Sequence, residues 1–133
     1  MKPFHLEIVT PDGAAFDGEA ESLLVKTDDG DVEILAGHAD LIATVAIGRA
    51  RLIVDGKSRL AAVSGGFLSV TREVVRLVTT TFEFAENIDL ARAEAAKAKA
   101  EEAIARAKND RDILVAKAKL ARAISRINAV NKF

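Results

Sequence analysis

A chain of 133 residues has room for one compact domain, or for a smaller domain carrying an appendage. It contains no cysteine, which excludes disulfides, thiolate chemistry and cysteine-based zinc sites. Its net charge of −1 conceals a split: residues 1–86 hold eight Lys/Arg against fourteen Asp/Glu, and residues 87–133 hold eleven against six. All eight glycines and both prolines lie at or before Gly66. An acidic, turn-rich body of residues 1–86 and a basic tail of residues 87–133 therefore read as two parts with separate partners. The opening Met1-Lys2-Pro3-Phe4-His5-Leu6-Glu7 lacks the apolar stretch of a signal peptide. The longest apolar runs fall far short of the ~20 residues that cross a bilayer. A soluble, intracellular chain with no transmembrane segment is expected, one that can still ride on a membrane complex through protein contacts.

Along the body, short strands alternate with turns. Phe4 to Val9 alternates apolar and polar, and Pro11-Asp12-Gly13 turns the chain. Ser22–Thr27 and Val32–Leu35 flank the acidic tip Asp28-Asp29-Gly30-Asp31 as a hairpin would. Gly37 and Gly48 bracket the run Leu41–Val45. Arg51–Val54 and Lys57–Leu60 flank Asp55-Gly56, the strongest hairpin signal in the chain. Ser64-Gly65-Gly66 reads as a tight turn before Phe67–Val70, and Glu73–Thr81 supplies a β-branched strand. The pattern predicts a small β-sandwich or flattened barrel of about ten strands. The join, Phe82 to Glu86, is long enough only for a hinge.

The tail reads as an antiparallel hairpin of two alanine-rich helices. Asn87 is the expected N-cap of the first, with Asp89 an acid in its first turn. Alanines 93, 96, 100, 103 and 107 recur at three and four residues and draw one seam along it. Lys108 to Asp112 breaks the pattern, and either Asn109 or Asp110 can cap the second helix, whose seam runs through Ile113, Ala116, Leu120, Ala123 or Ile124, and Ile127. Alanine seams bury little apolar area, so local propensity is good while the tertiary hold is thin. Such a hairpin can leave its docking place.

Chemistry is sparse. The two histidines, His5 and His38, belong to a strand and a loop, with no carboxylate at helical ligand spacing, so neither a catalytic triad nor a metal site is expected. Ser64-Gly65-Gly66 lacks the lysine and spacing of a phosphate loop. No catalytic residue is assigned, and an enzyme is not expected. The basic tail has no motif or stacking aromatic before Phe133, and its charges interleave with Glu94, Glu101, Glu102 and Asp112, which argues against nucleic acid. One constellation stands out. A turn near Asn109 sets Arg92 opposite Arg126, with Arg122 one helical turn from Arg126. Three guanidiniums so close need an anion among them: Asp89, Glu83, or a bound polyphosphate. A solvated ion-pair network is the alternative.

Thr10-Pro11-Asp12-Gly13, Ile34-Leu35-Ala36-Gly37-His38 and Val63-Ser64-Gly65-Gly66-Phe67-Leu68-Ser69-Val70 resemble the β-sandwich of the epsilon subunits of bacterial F-type ATP synthase. Ile88-Asp89-Leu90-Ala91-Arg92-Ala93 is similar to that family's Ile/Leu-Asp-x-x-Arg-Ala signature at the start of its helical hairpin. The resemblance covers the whole chain. It implies a non-catalytic rotor subunit of a proton- or sodium-translocating enzyme, peripheral on the cytoplasmic face of the cell membrane. The sandwich would hold the gamma subunit and sit on the c-ring. The hairpin would either fold beside the sandwich or open toward the alpha and beta subunits and block ATP hydrolysis. ATP is the implied regulatory ligand, with Glu83, Ile88, Asp89, Arg92, Ala93, Arg122 and Arg126 matching its site. Two departures bear on the sandwich: Glu33 and Ala36 stand where the family has glycine and proline. Ala103 and Val115 stand where ATP-binding members can carry further arginines, which bears on affinity and on any magnesium dependence. The reading from a different class is a freestanding nucleotide- or anion-sensing module.

Overall fold

The computed structural model describes residues 2–131. Seven strands come first: β1 (Phe4–Thr10), β2 (Gly13–Ala20), β3 (Ser22–Thr27), β4 (Gly30–Ile34), β5 (Leu41–Val54), β6 (Lys57–Val70) and β7 (Val75–Phe84). A 3₁₀ turn, Ala85–Asn87, then leads into α1 (Leu90–Arg106) and α2 (Asp110–Asn131). The strands form one sheet in the order β2-β1-β7-β6-β5-β3-β4, antiparallel throughout except for the parallel β1–β7 pair. β2 also meets β5 across the interior, so the sheet curls over on itself into the expected sandwich.

Alternation along the strands supplies the core. Leu6 and Ile8 point inward from β1 and are fully buried, together with Leu23, Ile34, Leu52, Leu68 and Leu77. The intervening His5 and Glu7 point outward, as a period of two requires. On that outer face Arg76 Nε donates to Glu7 Oε2 at 2.9 Å and holds the Glu7 carboxyl below the usual range.

Three sequence expectations are corrected. There are seven strands among the described residues, not about ten, because β5 and β6 each run for 14 residues through glycines read as breaks. Ser64-Gly65-Gly66 is no turn: it lies inside β6, and Gly66 pairs with Val45 on one side and Thr79 on the other. A Cβ built on Gly66 would lie 1.9 Å from the Val78 carbonyl oxygen, so the glycine permits a close approach of strands. The third correction is at the first helix. Asn87 closes the 3₁₀ turn, and the N-cap is Asp89, whose Oδ1 accepts from the Arg92 amide at 3.1 Å.

Other expectations sharpen. Asn109, not Asp110, caps α2: its Oδ1 accepts from the Asp112 amide at 2.8 Å, and its Nδ2 donates to Asp112 Oδ2 at 3.1 Å. Along α1 the inward row is Ala93, Lys97, Ala100, Ile104 and Ala107, while Ala96 and Ala103 are exposed. A row that includes Ile104 buries more apolar surface than one through Ala103. On α2, Ala116 and Ala123 are buried and Ile124 is exposed. Ala36 leaves the local turn intact. Leu35–His38 is a turn closed by the His38 amide on the Leu35 carbonyl at 3.1 Å, with Gly37 at φ 84°. Type II turns favour proline at the second position but accept alanine there.

Candidate functional site

The join and the hairpin are held against the sandwich by polar contacts at three points. Arg59 of β6 pairs with Glu86 of the 3₁₀ turn and lies 3.7 Å over the Phe84 ring, which itself meets Phe82 edge-on. Arg126 of α2 donates from Nε to Glu83 Oε1 at 2.7 Å. Buried Ser125 donates to the Gly48 carbonyl of β5. Thus α2, not α1, carries the docking, packing on β5 and β6 while α1 packs on α2.

A cleft of about 380 Å³ opens where these elements converge, lined by Glu83, Asn87, Ile88, Asp89, Arg92, Ala93, Ala96 and Arg126. That volume is within the range of small-ligand sites. Its wall is drawn from β7, the join, α1 and α2. Six of the seven residues selected from sequence line it. The seventh, Arg122, faces the adjoining depression with Ser64, Thr81, Glu83 and Arg126. Arg92 and Arg126 therefore share the cleft, and Arg122 stands beside it.

The chemistry on offer is anion binding with an apolar side. Arg92 is exposed, and its amide, not its guanidinium, is engaged by Asp89. Arg126 keeps its terminal nitrogens available beyond the Nε bond to Glu83, and guanidinium forks suit phosphate oxygens. Ile88 and Ala93 add apolar wall. No nucleophile–base pair lines the cleft.

Sequence reasoning missed Ala96 and Asn87 as lining residues and Arg59 as the clasp on the join. Ala96, one helical turn from Arg92 and Ala93, was legible from periodicity. Arg59 was not, because only strand pairing brings it to Glu86, 27 residues away.

Comparison with known proteins follows the same division. A family profile described as the ATP synthase delta/epsilon chain beta-sandwich domain matches residues 3–85. A second, described as the long alpha-helix domain of the same chain, matches residues 86–131. The chain is 43% identical over 128 residues to the ATP synthase epsilon chain of Bacillus velezensis, covering 96% of this chain and 97% of that one. It is 39% identical over 132 residues to the same subunit of Ruminiclostridium cellulolyticum, covering 99% and 98%. Among solved structures, a chain of the Euglena gracilis mitochondrial ATP synthase superposes with a TM-score of 0.81 at 21% identity, over 92% of this chain and 78% of that one. No helix among the described residues is long and apolar enough to cross a membrane. Matched from end to end in both of its parts, the chain belongs to the ATP synthase delta/epsilon family, as an epsilon subunit of the bacterial F-type enzyme.

Proposed function

We propose that this epsilon subunit works in the rotor and that its hairpin is a non-catalytic, ATP-sensitive restraint on hydrolysis. The observation that carries the reading is the make-up of the cleft. Arg92 comes from α1 and Arg126 from α2, with Glu83 from the sandwich beneath them, so the cleft exists only while the hairpin is paired and docked. A ligand that needs both arginines binds that arrangement alone, and only such a differential shifts a conformational equilibrium.

The residues suit ATP. The two guanidiniums would take the phosphates, Ile88 and Ala93 would lie against the base, and the Asp89 oxygen not used in the cap could accept from the adenine amino group. The hold it would reinforce is weak: Arg126 and Glu83 have side chains 30% and 37% exposed, and such a pair contributes about 1 kcal/mol or less. Once open, the basic helices would reach the alpha and beta subunits, while the sandwich stays on gamma and the c-ring at the cytoplasmic face of the membrane. The exposed Leu35 turn lies beside the start of β7 and the hairpin follows its end. A strand of 10 residues separates them by about 30 Å, which supports different partners at the two ends.

The test is an ATP titration of the full-length chain, with and without magnesium, followed by amide shifts. Saturable shifts concentrated at residues 83–96 and around Arg126 are expected. No response at millimolar ATP would overturn the reading.

A further inference from the structure

The outer face of the β1–β2 pair carries a second cluster, remote from the cleft. His5 and Glu7 stand two apart on β1, and their strand partners on β2 are Glu19 and Asp17. Period-two alternation puts all four on the face turned away from Leu6 and Ile8. His5 Nε2 lies 3.0 Å from Asp17 Oδ1 and 3.5 Å from Glu7 Oε1. The three ligand atoms are all within 4.8 Å of one another. In a tetrahedral zinc site with metal–ligand bonds of about 2.1 Å, neighbouring ligand atoms sit about 3.4 Å apart. The two histidine distances bracket that edge.

The surroundings of these atoms matter as much. Glu19 Oε1 approaches the other ring nitrogen, Nδ1, at 3.8 Å. That is too long for a hydrogen bond, whereas Asp17 at 3.0 Å engages Nε2, the nitrogen a metal would take in place of a shared proton. Glu7 is steadied through its other oxygen by Arg76, which leaves Oε1 facing the histidine. Three carboxylates thus surround one imidazole, with one guanidinium among them, and a divalent cation would relieve their mutual repulsion. Imidazole with carboxylates suits zinc better than magnesium, which prefers oxygen ligands throughout.

We propose that His5, Glu7 and Asp17 form a zinc site that staples β1 to β2, with water completing the coordination. Helical ligand spacing is the wrong template here: cross-strand pairing supplies the carboxylates.

Calorimetric titration of the full-length chain with zinc chloride, in millimolar magnesium, tests this. One zinc per chain bound well below millimolar is expected, with zinc moving the His5 ring resonances and not those of His38. Asp17→Asn and His5→Ala should each weaken binding at least about tenfold, no less than the loss of an outer-sphere partner costs a metal site. His38→Ala should bind like the parent. His5 and Asp17 are at outward strand positions and His38 is in a turn, and an unchanged amide spectrum in the absence of metal would show the fold intact. Binding no tighter than millimolar, shifts at His38 in place of His5, or parental affinity in the His5 and Asp17 variants would overturn the proposal.

Discussion

Gly66 shows how much one missing Cβ can decide. Its neighbour β7 leaves no space: the Val78 carbonyl would meet an added Cβ at 1.9 Å, and the Thr79 Cα at 2.8 Å. These are backbone atoms of a paired strand and cannot swing aside. Gly65, next in sequence, has only the Val45 carbonyl at 3.5 Å, an ordinary contact. Gly66→Ala should therefore cost about 3 kcal/mol or more, above the usual overpacking penalty, while Gly65→Ala changes stability little. Urea unfolding of the two variants checks the contrast, and equal stabilities would count against the strand packing described. In the cleft, Arg92 is the cleaner probe of ligand binding, because Arg126 also bonds Glu83. Losing one charge-assisted phosphate contact costs about 1.5–3 kcal/mol, roughly ten- to hundredfold in affinity. Arg92→Ala and Arg126→Ala should each weaken ATP binding by that factor. Lys99→Ala, which lies outside the cleft, should not.

The two helices are held to the sandwich by small residues and few polar bonds. Ala123 and Ala129 are fully buried, yet each covers little apolar area. Against so thin an interface a single hydrogen bond counts. Ser125→Ala removes the bond to Gly48 and leaves that carbonyl without its donor, at a cost of about 0.5–1.5 kcal/mol. The docked hairpin should lose about two- to twelvefold in population relative to the open one, read as faster amide exchange at the faces of α2 and β5. Unchanged exchange would mean that packing alone holds the hairpin. The clasp of Arg59 on Glu86 and Phe84 belongs to the sandwich side and would stay if the hairpin lifted as proposed. The pivot of that proposed motion would then fall after the 3₁₀ turn, near Ile88, whose backbone is extended at φ −88° and ψ 128°.

At the size of the whole molecule, an acidic sandwich with its own core bears a basic hairpin that has none. Among the described residues, the fully buried large side chains all lie in residues 6–77. A fragment ending at Glu86 keeps them, with the Arg59 clasp, and should fold and co-purify with gamma. Loss of gamma binding in a fragment with intact sheet signal would count against the placement of that contact on the sandwich. In the assembled complex the same truncation should raise ATP hydrolysis. Inhibition by the full chain should weaken with added salt, since exposed charges are screened over about 8 Å at physiological ionic strength. An unaltered rate on truncation would remove the inhibitory role of the hairpin.

The sequence alone determined the order of parts, β then α, because periods of two and of three to four residues are local properties of the chain. A short turn near Asn109 sets an antiparallel register, which is why Arg92 and Arg126 line one cleft. Asp55-Gly56 turned where expected, with both residues at positive φ. Glycine misled elsewhere: Gly48 and Gly66 look like breaks in a one-dimensional reading, whereas both lie inside the long strands β5 and β6, and at Gly66 the backbone of β7 comes so close that only glycine fits. The cap at Asp89 was hidden for a related reason, as the 3₁₀ turn through Asn87 is held by Arg59 from a distant strand. Contacts between residues far apart in sequence were decided by the tertiary structure alone. These include Arg59 with Glu86, Ser125 with Gly48, and Arg122 beside the cleft where Arg126 is within it. Each depends on the angle at which α2 crosses the sheet or on strand register, and neither is encoded in any local stretch of the chain.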